Sequence, residues 1–348
     1  MKNQERTLNR MSFGAAPWVG RRLDGAAVVS FLAAGCSFAA CFGVVSAADL
    51  NGDWSLALDS GTPAWLSIRD VESQPVVRMR LHVGPDGPHR LIENSAERLV
   101  FELRQNKKAT ASKFVEVGIV GGQMKGVIVT RPPDGVPSRD EFSGSKIPPV
   151  PATPPDLSQI RFGHPISLFN GKDLSGWRAH EPEKIMGWSV RDGMLVNTTP
   201  KTDFSATGAY ANLRTEAVFE DFWLHIEFLI EKDRNSGVYL RGMYEAQVVD
   251  RDSRMQGIQG VGAIFGLIPP SKSAGKPGGH WQTYDLTLVD RHVTVVLNGE
   301  RVIDNQPLPS PTGGAVFTDP TQPGPIHLQG DHTSVAYRSI YLAPVVSQ

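Results

Sequence analysis

Apolar residues in this 348-residue chain alternate with polar ones in one short run after another, and dipeptides such as Gly121-Gly122, Asp192-Gly193 and Asn298-Gly299 separate the runs. Side chains on a strand point to opposite faces in turn, so the pattern selects half-buried strands joined by tight turns. Thirty-five glycines and 26 prolines punctuate the chain more often than long helices allow. No helix of three turns is expected in the second half. The pattern predicts an all-β protein built of antiparallel sandwiches or jelly rolls.

The first 48 residues read differently. Arg21 and Arg22 precede an uncharged run from Ala26 to Val45, and Ser46, Ala47 and Ala48 follow it. A positive flank, an apolar centre and a small-residue exit describe a secretory signal, and its length suggests Met11 as the start. A membrane anchor and a lipoprotein site at Ala34-Gly35-Cys36 are the rival readings. The small residues at the exit and the apolar stretch that continues past Cys36 argue for cleavage instead. An exported mature chain, periplasmic or secreted and without a transmembrane span, is therefore expected. Cys36 and Cys41 leave with the leader, which excludes disulfides and thiolate chemistry from the mature chain. A net charge of −1 gives no basis for binding nucleic acid.

Residues 49–146 then read as a small β-domain of unknown role, with turns at Asp86-Gly87 and Asp134-Gly135 and no cluster of catalytic residue types. Residues 147–164 form a linker in which Pro148, Pro149, Pro151, Pro154 and Pro155 favour an extended polyproline conformation. A second set of strands fills residues 165–348, among them Phe222–Ile230, Val238–Leu240, Glu245–Val249 and Tyr284–Val289.

The segment from Asn235 to Asp250 carries most of the polar chemistry. Alternation puts Glu245 and Gln247 on one strand face, and Tyr239 with Arg241 on one face of the preceding strand. A sandwich core does not accept such groups unpaired, so this face is open to solvent or lines a cleft. Other strands add Glu227 beside His225, His280 next to Trp281, and Gln329, Asp331 and His332 near a strand end. Carboxylates, histidines, amides and an indole suit the gripping of sugar hydroxyls and proton transfer. The plainer reading is a wet outer face with a structural Arg–Glu pair. His280, His332, Glu245 and Asp250 leave room for a divalent metal ion, although no pair among them has a zinc-like spacing. No phosphate loop or nucleophile elbow is present.

The segments Ser167–Trp177, Gly187–Leu195, Phe219–Phe222, Asn235–Arg241, Tyr244–Asp250, His280–Asp285, Leu297–Gly299 and Gly324–His332 follow one another in a familiar order. Through them residues 165–345 resemble the 3-keto-disaccharide hydrolase family, formerly a domain of unknown function. The resemblance implies a concanavalin-like, laminin-G-like jelly roll beside the small N-terminal β-domain. It also implies a carbohydrate substrate, a 3-keto-glycoside, cleaved by hydrolysis or by elimination followed by hydration.

For that chemistry Glu245 or His280 is the expected base, and His332 or Asp250 the expected acid. Arg241, alone or with a metal ion, would stabilise an enolate. Trp281 would stack on the sugar, and Gln247, Gln329, Tyr239 and Glu227 would contact it. Two alternatives stand beside this scheme: a two-carboxylate glycosidase using Glu245 with Glu227 or Asp250, and an exported carbohydrate-binding protein without catalysis. Three positions depart from the family's habit: Ser339 where Asn is common, Met243 where a more polar residue is frequent, and Thr333 in place of Gly.

Overall fold

Strands carry the fold in the computed structural model, which describes residues 50–347 apart from 72–73, 83, 85, 96–97, 106–108 and 201–205. The leader expected from the sequence, with Cys36 and Cys41, lies outside the described residues.

The first eight strands are β1 (Gly52–Leu58), β2 (Pro63–Val71), β3 (Gln74–Leu81), β4 (Arg90–Asn94), β5 (Leu99–Glu102), β6 (Ser112–Val120), β7 (Gln123–Arg131) and β8 (Ser138–Ile147). They form one antiparallel sheet in the order β3-β2-β1-β8-β7-β6-β5-β4. The segment before β4 then hydrogen-bonds to β3, Met79 N–H to Asp86 O at 3.0 Å and His89 N–H to Val77 O at 2.9 Å. The two ends of the sheet thus meet through this segment, an up-and-down barrel arrangement that covers part of the β3 edge. Alternation fills its interior: Leu56, Leu66, Ile68, Val77, Met79, Phe101, Val115, Val117, Met124 and Phe142 are buried there together.

The remaining strands are β9 (Arg161–Phe162), β10 (Ile166–Ser167), β11 (Trp177–Ala179), β12 (Trp188–Arg191), β13 (Met194–Asn197), β14 (Leu213–Thr215), β15 (Phe222–Ile230), β16 (Asn235–Leu240), β17 (Tyr244–Val249), β18 (His280–Val289), β19 (His292–Leu297), β20 (Glu300–Pro307), β21 (His327–Leu328) and β22 (Val335–Ser347). A larger sheet runs β12-β13-β22-β15-β18-β19-β20, with β9 and β10 also paired to β22, and a smaller one runs β11-β14-β21-β16-β17. Two antiparallel sheets facing each other across one core make a jelly-roll sandwich, so the protein is all-β as expected.

Period-two patterning sets this core. On β15, Phe222, Leu224, Ile226, Phe228 and Ile230 are fully buried, while Trp223, His225, Glu227 and Leu229 face outward. Each inward side chain contributes roughly 1.5–3 kcal/mol by leaving water. A one-residue slip would exchange all five for the polar set, which fixes the register. Strands β16 and β17 behave differently, with all six residues of each buried. Their inward face joins the core through Val238, Leu240, Tyr244, Ala246 and Val248. Their other face is covered as well.

Residues 148–160, the proline-rich run between barrel and sandwich, carry no strand. It lies against the sandwich, where Arg291 Nη1 donates to the Pro148 carbonyl at 2.6 Å and Asn305 Nδ2 to the Pro155 carbonyl at 2.8 Å. Among the described residues no helix is long and apolar enough to cross a membrane.

Candidate active site

Register across the smaller sheet lines up Arg178, Arg214, His327, Tyr239 and Glu245, each directly opposite the next. Opposed residues in a ladder share a face. Their chain neighbours Leu213, Leu328, Val238 and Ala246 belong to the core, so this polar row points away from it. Gln247, opposite Gly237, and Gln329, whose N–H donates to Gly237 O at 3.0 Å, extend the same face.

The row is buried where it passes β21, β16 and β17: His327, Tyr239 and Glu245 are 1%, 1% and 3% exposed. The loop after Leu308 provides part of the cover. Thr312 Oγ1 accepts from Glu245 N–H at 3.0 Å and donates to Met243 O at 3.1 Å. Tyr239 Oη donates to Gly313 O at 2.9 Å and accepts from Gln329 Nε2 at 3.3 Å. Two glycines make the fit: a Cβ at Gly237 would overlap the Glu245 carboxyl, and one at Gly314 would overlap the Tyr239 hydroxyl.

Burial and the nearby charge of Asp331 push the Glu245 carboxyl up to about 8, against a hydrogen bond with Tyr239 that favours ionisation. Tyr239 has one proton, and the Gly313 carbonyl can only accept it. Burial also raises the Tyr239 hydroxyl well above its usual value, with the Glu245 charge adding to it. His327 is held far below the ordinary histidine range by burial and by the neighbouring His180 and His82, so it is neutral. Its ring meets Tyr239 edge-on at 5.0 Å and His180 edge-on at 5.6 Å. Nδ1 of His180, Nδ1 of His327 and Oε1 of Gln329 are buried without a hydrogen-bond partner in the protein. Buried polar atoms are nearly always paired, so three orphans around one row mark a place built for something else.

A carboxylate–histidine pair lies close enough for Asp331 to act electrostatically on Glu245. His332 Nδ1 meets Asp331 Oδ1 at 2.6 Å. An ionised carboxylate only accepts, so Nδ1 carries the hydrogen, and in the neutral ring Nε2 holds the lone pair. The Asn212 side-chain oxygen steadies the turn by accepting from Gly330 and Asp331 N–H at 2.8 and 3.2 Å. Thr333, buried beside it, bonds both backbone groups of Asn235, with Oγ1 accepting at 2.8 Å and donating at 2.9 Å. The side chain that departs from glycine here locks the loop to β16.

Of the residues expected at the site, the structure gathers Glu245, Tyr239, Gln247, Gln329 and His332. Five others sit elsewhere. His280 is exposed at the start of β18, its Nδ1 3.2 Å from the Pro277 and Gly278 carbonyls. Trp281 and Glu227 lie on the outer face of the larger sheet and share Arg338, whose guanidinium stacks on Trp281 at 4.0 Å and donates to Glu227 at 2.8 Å. Asp250 spends both oxygens on backbone N–H groups, those of Asp233 at 3.0 Å and Asp252 at 2.9 Å. Arg241 leaves the face it was expected to share with Tyr239. It begins the β16–β17 turn in the left-handed region, φ 54, followed by Gly242 at φ 64. Alternation ends there, and the guanidinium donates to the carbonyls of Pro320, at 2.7 Å, and Gln322.

Sequence reasoning missed His327 and His180 as site residues. His327 lay within a quoted motif, and its parity with Tyr239 needs the register to be known. For the metal ion the sequence left open, no group of three or more His, Cys, Asp or Glu side chains among the described residues is arranged as ligands.

Among known families, residues 164–343 match the one described as a 3-keto-alpha-glucoside-1,2-lyase-like domain. A protein of Bacteroides thetaiotaomicron named 3-keto-disaccharide hydrolase is 23% identical over 166 residues, which span 40% of this chain and 57% of that relative. Among solved structures, a candidate glycosyl hydrolase from Parabacteroides distasonis aligns at 20% identity and TM-score 0.41, covering 52% of this chain and 93% of that one. SCLam, a non-specific endo-β-1,3(4)-glucanase of family GH16, aligns at 12% identity and TM-score 0.33, over 56% and 93% of the two chains.

Proposed function

The chain belongs to the family of 3-keto-alpha-glucoside-1,2-lyase-like domains, and from that premise we propose that it is a carbohydrate-active enzyme cleaving 3-keto-glycosides on the Tyr239–Glu245 face. One observation carries the reading. A carboxyl group that burial and the Asp331 charge keep protonated to about pH 8 stands near a histidine that Asp331 orients. A carboxyl held neutral near a histidine oriented by a second carboxylate offers one proton donor and one proton acceptor, the pair that acid and base assignments need.

A carbonyl at C3 acidifies the hydrogen on C2. In the proposed sequence His332 Nε2 takes that proton, and the C–H electron pair becomes an enolate spread from C2 to the C3 oxygen. The enolate re-forms the carbonyl, makes a C1–C2 double bond and expels the C1 oxygen, which takes its proton from Glu245. Adding water across C1–C2 then gives the free 3-keto sugar, so glycoside plus water balances 3-keto sugar plus alcohol. Gln329 Oε1 and His327 Nδ1, both without a partner in the protein, would meet sugar hydroxyls. This exchanges two earlier roles: Glu245, neutral at rest, serves as acid, and His332 as base. The two-carboxylate route loses its partners, since Glu227 is on the other sheet and Asp250 is occupied by backbone.

Supplying a 3-keto-glucoside and the unoxidised glucoside separately tests the reading. Turnover of the keto form alone, reduced at least a hundredfold by His332→Asn and by Glu245→Gln, is expected. Equal turnover of both sugars would sink the elimination scheme. The leader-like first 48 residues support a protein that acts after export, for which a mature N-terminus near Asp49 in the secreting host is the check.

A further inference from the structure

The barrel lies outside the matched stretch, yet its strand β3 ends at the site. Val77 and Met79 point into the barrel, so Arg78 and Arg80 point out of it. Both reach Asp86, Arg78 at 2.6 Å and Arg80 at 3.0 Å, but their surroundings differ: the Arg78 side chain is 50% exposed and that of Arg80 only 12%. Nε of Arg80 is buried without a partner. One shared carboxylate does not offset the burial of a guanidinium, so Arg80 is a half-satisfied interior cation. Burial pulls its pKa down, while Asp86 and Tyr239 oppose that pull.

What Arg80 faces is the candidate site. Its Nη1 is 3.5 Å from the point where a Cβ on Gly313 would stand, and Gly313 is the residue whose carbonyl takes the Tyr239 proton. His82, two residues on, clasps the same loop. Its carbonyl accepts from Gly314 N–H at 2.8 Å, and its Nδ1 donates to Ala315 O at 3.0 Å. In the neutral ring that bond leaves Nε2 with a lone pair, and the ring is close enough to act electrostatically on His180 and His327. Arg241, the cation expected for this face, is turned away to Pro320 and Gln322.

We propose that Arg80 and His82 of the barrel are substrate-binding residues of the sandwich's site, Arg80 presenting its planar fork to an electron-rich oxygen of a bound sugar and His82 accepting from a hydroxyl. A guanidinium suits this because its donors are fixed in one plane and stay charged throughout the physiological range. The inference rests on the carbohydrate reading of the face but needs no cleavage. It makes the barrel a working part of the site.

Calorimetric titration of the full chain with a glucosyl disaccharide and with its 3-keto counterpart tests it without requiring turnover. At least one of the two is expected to bind wild type, with Arg80→Met at least tenfold weaker and His82→Gln at least threefold weaker. Arg69→Met, which breaks the Arg69–Asp53 pair between β2 and β1 of the same barrel, is expected to bind as wild type does. Should Arg80→Met fail to fold, Arg80→Lys carries the test, since it keeps the charge and the Asp86 pair but loses the fork; threefold weaker binding is expected. Equal binding by the folded Arg80 and His82 variants overturns this inference alone. Binding without cleavage, lost in those variants, supports it while overturning the proposed reaction. Wild type binding neither sugar overturns both.

Discussion

Tyr239 and Glu245 stand directly opposite each other in the β16–β17 ladder, both buried on the face turned away from the core. One is a hydroxyl already committed to a carbonyl, the other a carboxyl with nowhere to place a charge. The proposed chemistry depends on that pairing, and so does part of the protein's response to pH.

The Glu245 carboxyl titrates at about 8 in the folded chain, against an ordinary 4.5. The folded chain therefore holds a proton that the unfolded chain has released. Its contribution to stability is complete below about pH 4.5 and is lost as the pH rises from there through 8, a change on the order of a few kcal/mol. Glu245→Gln removes this dependence. Urea unfolding at intervals from pH 5 to 9 is expected to show a flatter profile for the variant, which gains on wild type as the pH rises. Parallel profiles would mean that Glu245 is ionised in the folded protein.

Gly237 is expected to tolerate no side chain. An added Cβ meets the Glu245 carboxyl from the neighbouring strand, and forced overpacking costs about 1–3 kcal/mol. Gly237→Ala should lower the melting temperature. It should also move the alkaline limb of kcat/KM, because a displaced Glu245 no longer shares the same burial. A lowered melting temperature with an unmoved pH profile would place the Glu245 carboxyl outside the reaction.

His280→Asn is expected to leave kcat/KM within about twofold, since His280 is exposed at the start of β18. Trp281→Ala should do the same while losing the Arg338 stack, worth about 0.5–1 kcal/mol at a partly exposed position. Steady-state kinetics alongside thermal melts separate the two effects. A hundredfold loss from either variant would return these residues to the site.

Ser339 adopts φ 52 on β22. The left-handed region is unfavourable for most side chains and better tolerated by Asn. Ser339→Asn is expected to stabilise the fold by roughly 0.5–1 kcal/mol in denaturant unfolding. Destabilisation would show that the Ser339 hydroxyl's bond to Glu227 outweighs the backbone gain.

Much of this was legible before any coordinates. The alternation of Phe222–Ile230 gave a strand and its inward face, and the parity of Tyr239, Glu245 and Gln247 gave a polar face to their strands. Parity alone could not say which sheet each strand joins. Trp281 and Glu227 share their strands' outward parity, and only the pairing of β15 with β18 and β22 sends them to the larger sheet. His280 has the inward parity of Gln282 and Tyr284 but stands exposed at the strand's start. Arg241 was misplaced for a local reason, a left-handed turn that interrupts alternation one residue after Leu240. Arg80 and His82 had no local signal at all. Their part depends on contacts with residues more than two hundred positions away, which no spacing rule reports.

The fastening of the proline-rich run has a last consequence. Arg291 and Asn305 hold it at Pro148 and Pro155, so the segment behaves as a strut rather than a rope. A flexible tether of that length would present the barrel to the sandwich at a millimolar effective concentration and from every direction. The strut presents it from one. Arg80 then arrives at its place with the search already narrowed by covalent geometry, and a borrowed side chain can act as a resident one.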